Sequence, residues 1–177
     1  MTGIDAWVHT VAWSAVRGGG RGLRLVAGPK IRQRVARELR LEGVKSLKAD
    51  LQVRPWRDGM EIAGRIQAVV TRVCGVSLDI FDEAIDEPML VRVLPQSSPH
   101  ALAGEQREVI VDLLADDPPD VAGGESVDVG AYVVEALSLA LDPFARKPGA
   151  TFEAPPDAGP PSPFAALGAL RRKPAAD

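Results

Sequence analysis

The 177 residues carry 46% apolar and 25% charged side chains, the proportions of an ordinary folded chain with a core of its own rather than of a disordered one. One cysteine excludes an internal disulfide, and with two histidines it cannot close a structural zinc site without carboxylates, so no metal or cofactor is expected and a reducing, cytoplasmic setting is. The net charge of −3 argues against coating nucleic acid with the whole surface, and no apolar run reaches the roughly 18 residues of a membrane span.

The start, residues 1–20, lacks the basic lead and unbroken apolar run of a secretion signal, so neither export nor membrane insertion is expected. Residues 5–16 read as an extended segment anchoring Trp7 and Trp13. The glycine run at 18–22 reads as a loop, because it lacks the Gly-Lys-Ser/Thr of a phosphate loop and the offsets of a dinucleotide fingerprint. Leu23 to Val26 form a short strand.

From Pro29 to Leu41 the period becomes helical: Ile31, Val35 and Leu39 recur every four residues, Pro29 suits a first helical position and Gly43 a stop. Around that apolar stripe lie Lys30, Arg32, Arg34, Arg37 and Arg40. This basic surface reads either as a phosphate-contacting helix or as a solvated face beside an acidic half of the molecule.

Leu47, Ala49, Leu51 and Val53 alternate with polar residues, Asp58-Gly59 signals a hairpin turn, and Met60, Ile62, Gly64, Ile66, Ala68 and Val70 line one face of the returning strand. Gly75 interrupts the pattern. A third strand is expected from Val76 to Ile80, a fourth from Met89 to Leu94, and another from Arg107 to Leu114 after a polar loop. An acidic linker ends at Asp120, and a second helix runs from an N-cap at Asp128 to Leu141, apolar enough to lie on the sheet. Its Glu135 reads as a functional acid or, more simply, as an exposed or hydrogen-bonded carboxylate.

The expected fold is therefore α+β: an antiparallel, strongly twisted sheet or partly closed barrel of five to six strands, with helices near 29–41 and 128–141 packed on it. Residues 1–146 form the domain. Residues 147–177 form a flexible Pro/Ala-rich tail, within which Phe164, Leu167 and Leu170 mark an apolar side ending in Arg171, Arg172 and Lys173.

Charge divides unevenly along the chain. Residues 1–74 hold 14 Lys+Arg against 6 Asp+Glu, a net +8, and residues 75–177 hold 7 against 18, a net −11. Such a chain has the means to meet a polyanion with one part and a basic protein with the other. No active site assembles in the sequence. Cys74 with His9 and His100 could supply two roles of a nucleophilic triad, but Cys74 is in register with an apolar strand face, where a buried inert thiol is the ordinary outcome. Asp79, Asp82, Glu83, Asp86 and Glu87 are dense enough for a hard cation but lack the offsets of a calcium loop, so they read as a solvated acidic edge.

The stretch from Gly64 through Ala68 and Thr71 to Cys74-Gly-Val-Ser-Leu-Asp-Ile-Phe81 resembles the core signature of the YceD family, the large ribosomal RNA subunit accumulation proteins. Two further blocks, Val127 to Pro143 and Pro163 to Lys173, resemble the family's C-terminal helix and closing motif, in the same order. Ser77 stands where some members carry a second cysteine, so a Cys-x-x-Cys metal or redox role does not transfer. The resemblance implies a non-enzymatic, bacterial or plastid protein needed for accumulation of 23S rRNA. On that view Lys30, Arg32, Arg34, Arg37, Arg40, Arg171, Arg172 and Lys173 are the candidate contacts to 23S rRNA or its precursor. Two alternatives stand beside it: an adaptor whose acidic surface holds a basic large-subunit ribosomal protein, and a hydrolase or nuclease using the carboxylates.

Overall fold

The computed structural model describes residues 6–101 and 118–152. The predicted strand at 107–114 and the basic segment at 163–173, with Arg171, Arg172 and Lys173, lie outside the described residues. In chain order the elements are β1 (Thr10–Ala12), a 3-10 turn (Trp13–Ala15), β2 (Arg21–Val26), α1 (Pro29–Glu38), β3 (Gly43–Trp56), β4 (Gly59–Val73), β5 (Ile80–Pro95), β6 (Asp120–Ala122), β7 (Ser126–Asp128) and α2 (Val129–Ala140).

The fold is α+β. One sheet has the order β2-β3-β4-β5-β6, and β1 pairs with β7 in a separate two-stranded ribbon. The expected antiparallel meander holds from β2 to β5, whereas β6 joins β5 in parallel at Val93–Pro95. Among the described residues β2 and β6 remain the two edges, so the sheet is open.

The β3–β4 hairpin follows from strict alternation on both strands, with Leu47, Ala49, Leu51 and Val53 facing Ala68, Ile66, Gly64 and Ile62. Apart from Gly64, these residues, with Met89 and Val93 of β5, Val35 of α1 and Val129, Val133 and Leu137 of α2, form one apolar core. Burying each large aliphatic side chain contributes about 1.5–3 kcal/mol. Gly64 is needed for close approach: a Cβ there would stand 2.2 Å from the Asp50 carbonyl oxygen. Asp128 caps α2 as its sequence indicates, its Oδ1 accepting from Gly130 N at 3.0 Å and Ala131 N at 3.3 Å.

Three expectations are corrected. The turn centre is Arg57-Asp58 rather than Asp58-Gly59, since Trp56 pairs with Gly59; the glycine instead lets β4 pass β5, where a Cβ would stand 2.0 Å from the Val93 oxygen. The strands expected at 76–80 and 89–94 are parts of one strand, β5, and Val76 to Asp79 belong to the turn before it. The intervening acidic residues hid this, because carboxylates are poor strand formers; here most of them have cationic partners. Helix α1 ends at Glu38 instead of Leu41. Its stop is a Schellman motif rather than Gly43: Leu41 N bonds Ala36 O at 2.8 Å, Arg40 N bonds Arg37 O at 3.3 Å, and Arg40 takes the left-handed position at φ 53.

Candidate nucleic-acid interface

Helix α1 packs on β3 through Val35 and Ala36, with Ile31 and Leu39 half buried beside them. Burying that stripe turns Lys30, Arg34 and Arg37 outward, and the C-terminal motif leaves Arg40 exposed just past the helix end. Arg32 differs: half buried, its Nη1 donates to the Ala27 carbonyl at 2.9 Å and ties the helix to the preceding loop. Glu38 is the only carboxylate on α1. No ion pair among the described residues uses Lys30, Arg34, Arg37 or Arg40. Arg34, Arg37 and Glu38 line a shallow concavity of about 300 Å³ with Ala6. Arg37 and Arg40 also lie where the helix dipole favours cations.

The sheet face turned away from the helices holds more arginines, differently arranged. Register places Arg24 beside Asp50 at 2.9 Å, Arg65 beside Asp86 at 2.9 Å and Lys45 beside Asp82. Buried Glu61 accepts from Arg54 Nε at 2.7 Å and Arg92 Nε at 3.0 Å, and these two guanidiniums hold its carboxyl below the usual range. The carboxyls of Asp82 and Asp86 are lowered as well, by bonds from Lys45 and Thr71 and from Gln67 and Arg65. Of the acidic run, Asp79 pairs with Lys147 at 3.0 Å and Glu83 with Arg72 at 2.7 Å. Two of these pairs, Arg65 with Asp86 and Arg72 with Glu83, join the basic and acidic parts of the sequence across the β4–β5 ladder.

At the tip of the β3–β4 hairpin, Arg57 Cζ lies 4.5 Å from the centroid of the half-buried Trp56 ring, and Arg92 Cζ lies 5.3 Å from it. Trp13 donates its indole N–H to the Gly124 carbonyl at 3.0 Å. Trp13, Arg17, Pro55, Arg57, Asp58 and Gly59 enclose a pocket of about 300 Å³. Reading the chain element by element missed this group; the signal was two tryptophans each followed within four residues by an arginine.

Cys74 is fully buried, as its register implies, but in the turn after β4. Its Sγ accepts from Val76 N and Ser77 N at 3.4 Å and from Lys147 N at 3.3 Å, and the Ser77 side chain and these amides draw the thiol down to about 6. Neither histidine is among the groups bonded to it. Glu135 is half buried and lines a groove of about 340 Å³ with Asp120 and Tyr132, whose hydroxyl is pushed up by burial and by Asp120. Among the described residues no group of three His, Cys, Asp or Glu side chains is placed to hold a metal ion, and no helix is long and apolar enough to cross a membrane. Comparison with protein-family models, with curated proteins and with solved structures returned no match.

Proposed function

We propose that the protein is a non-enzymatic factor in large-subunit ribosome biogenesis, needed for accumulation of 23S rRNA, and that it contacts precursor RNA through phosphates lying along α1. One observation carries this reading: among the described residues, Lys30, Arg34, Arg37 and Arg40 stand without carboxylate partners, while on the sheet face Arg24, Lys45 and Arg65 each pair with an aspartate, Arg54 and Arg92 share Glu61, and only Lys48 lacks an ion pair. Unmatched cations on a rigid helix are the groups that gain most from displacing counterions on a polyanion. The resemblance of 64–81, 127–143 and 163–173 to the YceD family supplies the RNA. Lys30, Arg34, Arg37 and Arg40 are the contacts, and Arg32 steadies the helix.

The adaptor reading is weaker for the same reason. A basic ribosomal protein would need free carboxylates, and of the acidic run Asp79, Asp82, Glu83 and Asp86 are engaged by Lys147, Lys45, Arg72 and Arg65, which leaves Glu87. The test is to recover tagged protein from its own cells at low salt, crosslinked, with and without ribonuclease. The expected result is 23S precursor crosslinked within residues 29–41 and released at high salt. Ribosomal proteins retained after nuclease, with no RNA crosslink, would favour the adaptor.

A further inference from the structure

The hairpin-tip pocket combines three kinds of wall. Trp13 and Pro55 are apolar, Arg17 and Arg57 carry N–H donors, and Asp58 is an acceptor. Its volume of about 300 Å³ is at the small end for ligand sites. A carboxylate in the wall repels a phosphate, so the occupant must offer the wall N–H donors; the guanidiniums need acceptors, and the indole a planar π-face. A nucleobase meets all three needs. Guanine meets them best, since its Watson–Crick edge presents N1–H and the 2-amino group side by side to one carboxylate, while O6 and N7 accept.

Two features bear on the walls of the pocket. Asp58 is hydrogen-bonded by the buried Ser98 side chain, which, ahead of His100 and Arg57, keeps its carboxyl below the usual range and ionised at neutral pH. Arg57 sits at φ 53, a backbone state that costs a non-glycine residue about 1 kcal/mol or more. Glycine would fit that turn position without strain, yet an arginine occupies it, stacked on Trp56 and facing the pocket.

We propose that this pocket binds one unpaired guanine of a single-stranded nucleic acid, stacked on Trp13, read by Asp58 and anchored by Arg17 and Arg57. The site is separate from α1 and acts whether or not α1 carries phosphates. It also provides the aromatic platform that single-strand binding commonly uses.

The test follows tryptophan emission of the full chain, because Trp13 and Trp56 are at the tip whereas Trp7 is buried. Four probes are titrated: the ribo-tetramer UUGU, its deoxyribo counterpart, UUUU, and a tetramer with an abasic site replacing guanosine. UUGU is expected to quench with an affinity about tenfold above UUUU, the size of one bidentate base contact. The deoxyribo probe distinguishes RNA from DNA, and binding of either strand supports the site. Asp58→Asn should erase the guanine preference. Arg57→Gly should weaken binding about fivefold or more without lowering Tm, because glycine suits the turn. A variant with Lys30, Arg34 and Arg37 changed to Gln should keep the preference, so failure of the α1 reading and failure of this one are separable. Equal quenching by the abasic probe, or an unchanged preference in Asp58→Asn, would overturn the proposal.

Discussion

The open sheet face and the outer side of α1 carry the same residue types to opposite ends. On the sheet, Arg24, Arg65 and Lys45 each lie against an aspartate of a neighbouring strand, and Arg54 and Arg92 share Glu61. On α1 and at the turn that ends it, Lys30, Arg34, Arg37 and Arg40 face solvent with one glutamate on the helix. Charges matched at contact distance project little field beyond a Debye length of about 8–10 Å, whereas an unmatched cluster projects its full charge. The face with more arginines is thus the more neutral one. Counting charge along the sequence cannot tell the two faces apart.

The largest expected effect lies on the sheet. Glu61→Gln leaves the guanidiniums of Arg54 and Arg92 without their shared carboxylate and should cost about 2 kcal/mol in urea unfolding, with RNA affinity little changed. The same side sets the acid limit. Because the carboxyls of Glu61, Asp82 and Asp86 are lowered in the fold, their contribution is fully present above the unfolded carboxylate pKa of about 4 and is lost as pH falls through the lower folded values. Stability should therefore fall below about pH 4, less steeply in Glu61→Gln. A pH-independent stability from 5 to 2.5 would sink this account of the sheet.

A smaller effect of opposite sign is expected at the end of α1. Arg40 occupies the position that glycine usually takes in a Schellman motif, at φ 53. Arg40→Gly should raise stability by about 1 kcal/mol while weakening RNA binding, so a variant both less stable and unchanged in binding would remove Arg40 from the interface. The smallest effect belongs to the exposed sheet pairs. Arg65→Ala should shift stability by about 0–1 kcal/mol and leave RNA affinity alone; a loss of affinity as large as that of an α1 variant would erase the contrast between the two faces.

Much of this was legible in the sequence, and what was not has a common cause. Alternation marked β3 and β4, the Ile31/Val35/Leu39 stripe marked α1, and Asp128 marked the start of α2, because each signal is local. The continuity of β5 was hidden, since the cationic partners of Asp82 and Asp86 are Lys45 and Arg65, 37 and 21 residues away. Strands β6 and β7, with three residues each, are too short to show a period. The basic helix could be named, but its lack of partners and the spending of Arg32 on Ala27 could not. The hairpin-tip pocket depends on bringing Trp13 and Arg17 beside Arg57, a matter of topology rather than of any motif.

The central claim is that α1, not the sheet face, carries the phosphate contacts. The most direct measurement is the salt dependence of binding to a 23S precursor fragment for the unaltered protein, for Lys30/Arg34/Arg37→Gln and for Lys45/Arg24/Arg65→Gln. Each lost phosphate contact removes about 0.7–0.9 from the slope of log K against log salt, so the α1 variant should lose about 2–3 units and the sheet variant almost none. Equal slopes for the unaltered protein and the α1 variant, or a larger loss in the sheet variant, would contradict it.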